Sequence, residues 1–158
     1  MKQIDDRFIR KGEKSALVIL KKIFSTADIQ IQFPFCNLMN EEFFGSLSDR
    51  QKKETLDIVV FRDDLQTVVI RVQDKTHVGT MKSARDIVQK KMLEWNDCKV
   101  VDLWFYECPA LWKEEVNESS ENEIKVALNE VGLDLLLFIH IWWLCTLVFA
   151  IKVRHVHI

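Results

Sequence analysis

The chain has little of what loosens a backbone. Its 158 residues include 4 glycines and 2 prolines, too few for Gly-rich or Pro-rich linkers or a low-complexity array. That scarcity excludes a string of loosely tethered modules and favours one folded domain. Cysteine is present without a pattern. Cys36, Cys98, Cys108 and Cys145 form no C-x-x-C pair, and no histidine accompanies them at zinc-site spacing, which excludes the common structural zinc sites. They read as reduced, mostly buried thiols, suited to the cytosol. The N-terminus carries no apolar h-region, so no secretory signal is expected and a cytoplasmic or nuclear location is. Excess charge is lacking too. A net charge of -2 names no polyanionic partner by itself.

What is there is ordinary globular material: 48% hydrophobic and 29% charged residues, enough apolar matter for a core. The charge is unevenly spread. Met1 to Ala27 holds seven Lys/Arg against three Asp/Glu, and Lys75 to Lys99 holds six against three. Glu107 to Asp134 reverses the balance, with two against eight. A basic front and an acidic back would orient the molecule on a polyanion, although solvated faces would give the same pattern.

Apolar periodicity supplies the elements. In "EKSALVILKKIF" (residues 13 to 24), Leu17, Leu20, Ile23 and Phe24 fall on one helical face. "IQIQF" (Ile29 to Phe33) alternates like a strand, and Pro34 ends it or sets it at an edge. "LDIVVF" (Leu56 to Phe61), the turn "RDDLQT" and "VVIRVQDK" predict a hairpin of buried strands. "KSARDIVQKKMLEW" predicts a helix with Ile87, Val88, Met92 and Trp95 as its apolar face, and "KVVDLWFYE" (Lys99 to Glu107) a further strand. A helix between two strands after a hairpin predicts an α/β fold. Its central mixed sheet would have about four to five strands, flanked by helices. The division drawn is a core over residues 1–112, an acidic linker over 113–123 and an apolar segment over 124–158. Asn117-Glu118-Ser119 also fits the short glycosylation pattern.

One long apolar run stands apart. Leu135 to Ile151 is seventeen residues without a formal charge, against about 20 for a membrane-spanning helix. A buried helix plus strand is favoured. A membrane anchor is the alternative, and it would make the protein a membrane-associated interaction protein.

The chemistry concentrates at the hairpin. Arg71, Gln73 and Lys75 alternate on one strand and share a face. In an antiparallel pair Asp57, early in the first strand, approaches Gln73 and Lys75. A carboxylate, a further oxygen donor and a lysine suit magnesium and a phosphate.

At these residues the chain resembles the PD-(D/E)XK nuclease superfamily, whose pattern is an Asp on one strand and acid-x-Lys on the next. Here Asp57 is followed, after fifteen residues, by Gln73-Asp74-Lys75. The element order over residues 13 to 107 is similar to that restriction-endonuclease-like fold. "VIRVQDKTH" with "ARDIVQKKML" looks like the very-short-patch-repair-like branch, matched by His77, Arg85 and Asp86; a Holliday-junction-resolvase-like branch is the other candidate. The resemblance implies a magnesium- or manganese-dependent DNA endonuclease. It assigns Asp57, Gln73 and Lys75 to catalysis, and Asp57, Glu13 and Gln73 to the metal. Lys14, His77, Lys82, Arg85, Gln89 and Lys90 would hold DNA, and a homodimer is a further expected assembly. The departure lies at the acid position, where Gln73 (or Arg71 in the second alignment) is not a carboxylate. A catalytically inactive nuclease-fold module that binds DNA or protein is therefore the alternative. Glu94, on the following helix, is a candidate for the missing acid.

Overall fold

The structure is a computed structural model, which describes residues 11–62, 66–73, 80–113 and 116–133. Lys75, His77 and the run Leu135 to Ile151 lie outside the described residues, as does the side chain of Lys82.

Four strands form one mixed sheet in the order β1-β2-β3-β4. They are β1 (Asp28–Pro34), β2 (Thr55–Phe61), β3 (Val68–Gln73) and β4 (Lys99–Trp104). β1 and β2 pair antiparallel, β2 and β3 antiparallel, and β3 and β4 parallel. The parallel pair needs a crossover, which α3 (Thr80–Trp95) provides. Edge strand β1 tolerates Pro34, whose missing N–H has no ladder to serve there.

Alternation along the central strands builds two cores. Ile58, Val60, Val68, Ile70, Val72, Val101 and Leu103 face one layer. Ala16, Ile19 and Leu20 of α1 (Lys11–Ile23) cover it, with Ile124 and Leu128 of α5 (Glu118–Glu130). Val59, Val69 and Val100 face the other layer, under Met92 and Leu93 of α3 and beside Phe35 and Leu47. Short helix α4 (Pro109–Trp112) packs against α1 and α5, and Phe43 of α2 (Glu41–Ser46) packs against the second core.

The acidic stretch over 113–123 divides at Asn117. The Asn117 side chain accepts from the Ser120 amide in a capping box, so its polar group starts α5. The second half of the expected linker is thus the first turn of a helix whose Ile124 and Leu128 are fully buried. Among the described residues no helix is long and apolar enough to cross a membrane.

The apolar face expected for α3 is not the face it buries. Met92 and Leu93 point inward, but Ile87 and Val88 are exposed and Trp95 is 66% exposed, stacked on Phe43. Half-buried Gln89 and Lys90 turn their side chains to the sheet instead, where the Asp86 main-chain carbonyl also accepts from Arg71. The reason is a charge on β3, described below.

Burial also sets the thiols. It pushes Cys98 up to about 11, with Asp97 adding to the effect, and Cys108 up to about 12, with Glu123, Glu107 and Glu130 adding. Both thiols hold their protons more tightly when folded than at the ordinary 9.0. Their contribution to stability is therefore complete below pH 9 and is lost as pH rises through 9 toward 11 and 12. Iodoacetamide at pH 8 is expected to label half-buried Cys36 and to spare Cys98 and Cys108 until urea unfolds the chain. Labelling of all three at equal rates in the folded protein would contradict this packing.

Candidate functional site

The site begins where β1 and β2 lose their regular pairing. Their register runs from Asp28↔Phe61 to Ile31↔Ile58, then resumes at Phe33↔Leu56. Gln32 and Asp57 lie across from each other in the gap. Gln32 has φ +50, a left-handed conformation that costs a non-glycine residue about 1–2 kcal/mol. The twist there changes which face each strand presents. Ile29 and Ile31 pack toward α1, whereas Phe33 packs on the opposite core. Likewise Ile58 belongs to the α1 side and Leu56 to the α3 side.

β2 leaves β3 at the same point. Their pairing ends at Ile58↔Ile70, and the Asp57 carboxylate takes over as acceptor for the Val72 amide, Oδ2 to N 2.8 Å. A side chain thus stands where a strand backbone would have continued.

Glu13 reaches this region from α1. It lies in the first turn and is 2% exposed. Gly12 lets the helix come close: a Cβ there would stand 3.1 Å from Val72 Cγ1 and 3.3 Å from the Trp112 ring. The Gln32 amide nitrogen donates to Glu13 Oε2 at 3.2 Å, and its oxygen accepts from Thr55 Oγ1 at 2.9 Å.

On the α3 side of the sheet, Arg71 and Gln73 share a face as the alternation requires. Both meet Asp102 of β4, which lies opposite Arg71 in the parallel register. Arg71 donates to Asp102 Oδ1 through Nε and Nη2, each at 2.7 Å. Gln73 Nε2 donates to the same oxygen at 3.3 Å, and Lys90 Nζ pairs with Oδ2 at 3.2 Å. Arg71 Nη1 also donates to the Asp86 carbonyl at 2.7 Å and to Gln89 Oε1 at 3.5 Å. Gln89 in turn donates to Glu54 Oε2 at 3.2 Å. This network explains the helix face: a buried Arg71–Asp102 pair needs polar partners, so α3 turns Gln89 toward Arg71 and Lys90 toward Asp102.

Two acceptors in this region, Gln73 Oε1 and Glu54 Oε1, are buried with no donor among the described residues. A buried acceptor left unmatched costs about 1–3 kcal/mol, so each is a place where a cation or a water would be favoured.

The expected site residues are thus distributed. Asp57 and Glu13 stand at the parting of the strands, while Gln73 leans its amide nitrogen toward Asp102 on β4. Lys14 and Arg85 are exposed, and Gln89 and Lys90 are built into the network. Glu94 pairs with Lys91 on the exposed side of α3 at 2.8 Å. Sequence reasoning missed Gln32, Glu54 and Asp102. Asp102 had a signal, a lone acid inside the apolar run "VVDLW". Among the described residues no three His, Cys, Asp or Glu side chains are grouped to hold a metal ion. Compared with protein-family models, curated proteins and solved structures, the chain matches none.

Proposed function

We propose that this domain is a magnesium-dependent endonuclease of the PD-(D/E)XK type that hydrolyses phosphodiester bonds in DNA, acting in the cytoplasm or nucleus. The observation that carries the reading is the parting of β2 from β3 at Asp57, with buried Glu13 delivered to the same region by α1. The donor chemistry fits the cation. Two carboxylates and the unmatched Gln73 Oε1 are hard oxygen donors, which magnesium prefers. When bound, magnesium supplies a water of lowered pKa and a positive charge against the phosphate.

The chain's own residues do the rest. Asp57 and Glu13 carry the negative charge that holds the cation. Gln73 offers a neutral oxygen and is oriented by the bond of its nitrogen to Asp102. Lys75 donates to the phosphate oxygens as charge builds in the transition state. Exposed Lys14 and Arg85 contact the DNA backbone, with His77 and Lys82 near Arg85 in sequence.

Gln73 favours a second reading, a nuclease-fold module that binds DNA without cutting it. An amide in place of the acid removes one charge from the metal shell. Incubation of the protein with plasmid and branched DNA, with magnesium or manganese, separates the two. Cleavage supports the enzyme, and binding without cleavage supports the module.

Either reading predicts an electrostatic grip on DNA. Lys14→Ala and Arg85→Ala are each expected to weaken binding equally for unrelated sequences. Each should lower the slope of log affinity against log salt by about one. Fluorescence anisotropy at several salt concentrations measures this. An unchanged slope for both variants would remove them from the interface.

A further inference from the structure

We propose that Gln32 is a positioning residue which holds the Glu13 carboxylate toward the cation site; the inference rests on the metal-dependent reading above. Two described non-glycine residues have positive φ, Gln32 and Asp97. Asp97 lies just past the end of α3, where a left-handed residue commonly closes a helix. Gln32 lies inside a strand, where nothing in helix capping explains it. If only the backbone turn mattered, glycine would fill the position without strain. A glutamine there means that its side chain is used.

The side chain is used at both ends. Its nitrogen faces Glu13 Oε2 at 3.2 Å and its oxygen is held by Thr55 Oγ1 at 2.9 Å. The carboxylate only accepts, so it takes the nitrogen end of the amide, and the Thr55 hydroxyl holds the oxygen end. A neutral donor orients Glu13 without neutralising it. A lysine or arginine would instead compete with a cation for the same charge. Metal-binding side chains are commonly oriented by such hydrogen-bond partners. Position 32 also stands across the strand pair from Asp57, so one residue links the irregular pairing beside Asp57 to the bond that aims Glu13.

The test is Mn2+ titration by isothermal calorimetry on the full chain, with Tm measured for each variant. Gln32→Gly relieves the backbone and removes the amide. It is expected to weaken Mn2+ binding about tenfold, with Tm unchanged or raised. Glu13→Gln is expected to weaken binding as well. Adding Gln32→Gly to it is expected to change nothing more, because one residue acts through the other. Thr55→Val, which unties the far end of the amide, is expected to weaken binding by a smaller factor and serves if Gln32→Gly does not fold. Wild-type affinity in Gln32→Gly, or a full further tenfold loss in the double variant, overturns the role of Gln32 alone. Absence of saturable Mn2+ binding by the wild-type chain overturns the metal reading, and this inference with it.

Discussion

Asp57→Asn is expected to leave the sheet intact and to reduce magnesium-dependent DNA cleavage on the order of 100- to 1,000-fold. Asparagine keeps a side-chain oxygen to accept from the Val72 amide, a bond of 2.8 Å in the wild-type protein, but loses the negative charge. Asp57→Ala removes both. It leaves the Val72 N–H without its acceptor and is expected to cost about 1–3 kcal/mol in stability besides activity. The pair of variants therefore separates the structural duty of Asp57 from its chemical duty. Lys75→Ala is expected to lower kcat by a factor similar to Asp57→Asn, since it removes the charge that meets the developing phosphate charge. Steady-state cleavage kinetics with urea denaturation measures all three. An Asp57→Asn protein that cuts at the wild-type rate would take Asp57 out of the mechanism.

Asp102→Ala is expected to be strongly destabilising. The Arg71 side chain is 7% exposed and the Asp102 side chain 14%. Removing the carboxylate strands a buried guanidinium, and breaking such a pair costs about 3–5 kcal/mol. At about 2–4 °C per kcal/mol for a chain of this size, Tm should fall on the order of 10 °C. The reverse experiment is informative. Arg71→Met with Asp102→Leu replaces the pair by apolar volume and is expected to recover most of the loss. Lys90, whose side chain is 35% exposed, can extend to solvent when Asp102 is gone. Calorimetry checks both variants. A loss below about 1 kcal/mol for Asp102→Ala would mean that the network is solvated like a surface pair.

Much of the sheet was legible because its signals are local. The apolar runs of β2 and β3 flank a short polar turn, so their antiparallel pairing follows from sequence distance alone. The helix before β4 forced a parallel partner for β3. The inner face of α3 was not legible, because hydropathy ranks residues one at a time. Ile87, Val88 and Trp95 look like core until Arg71 and Asp102 are known to lie beneath the helix, where Arg71 meets the Asp86 carbonyl and Gln89 and Asp102 meets Lys90.

The candidate site divides the same way. Asp57 beside the end of β3 follows from one strand pair, but it meets the Val72 amide there, and Gln73 turns its amide nitrogen to Asp102. Glu13 enters by packing of α1 over Val72, which Gly12 permits and which no short window reveals. Gln30 and Gln32 are equivalent in "IQIQF". One is exposed and bonds Asp28, and the other carries a left-handed backbone and holds Glu13. Asp102 acquires meaning only through a register that sets it opposite Arg71.

The most direct test of the central claim is the anomalous difference map of a crystal grown or soaked with Mn2+ in place of Mg2+. The account predicts a peak within about 2.5 Å of an Asp57 carboxylate oxygen and of Gln73 Oε1, with Glu13 facing it. A well-occupied peak elsewhere, such as among Glu107, Glu123 and Glu130 beside α5, with none at Asp57, would contradict it.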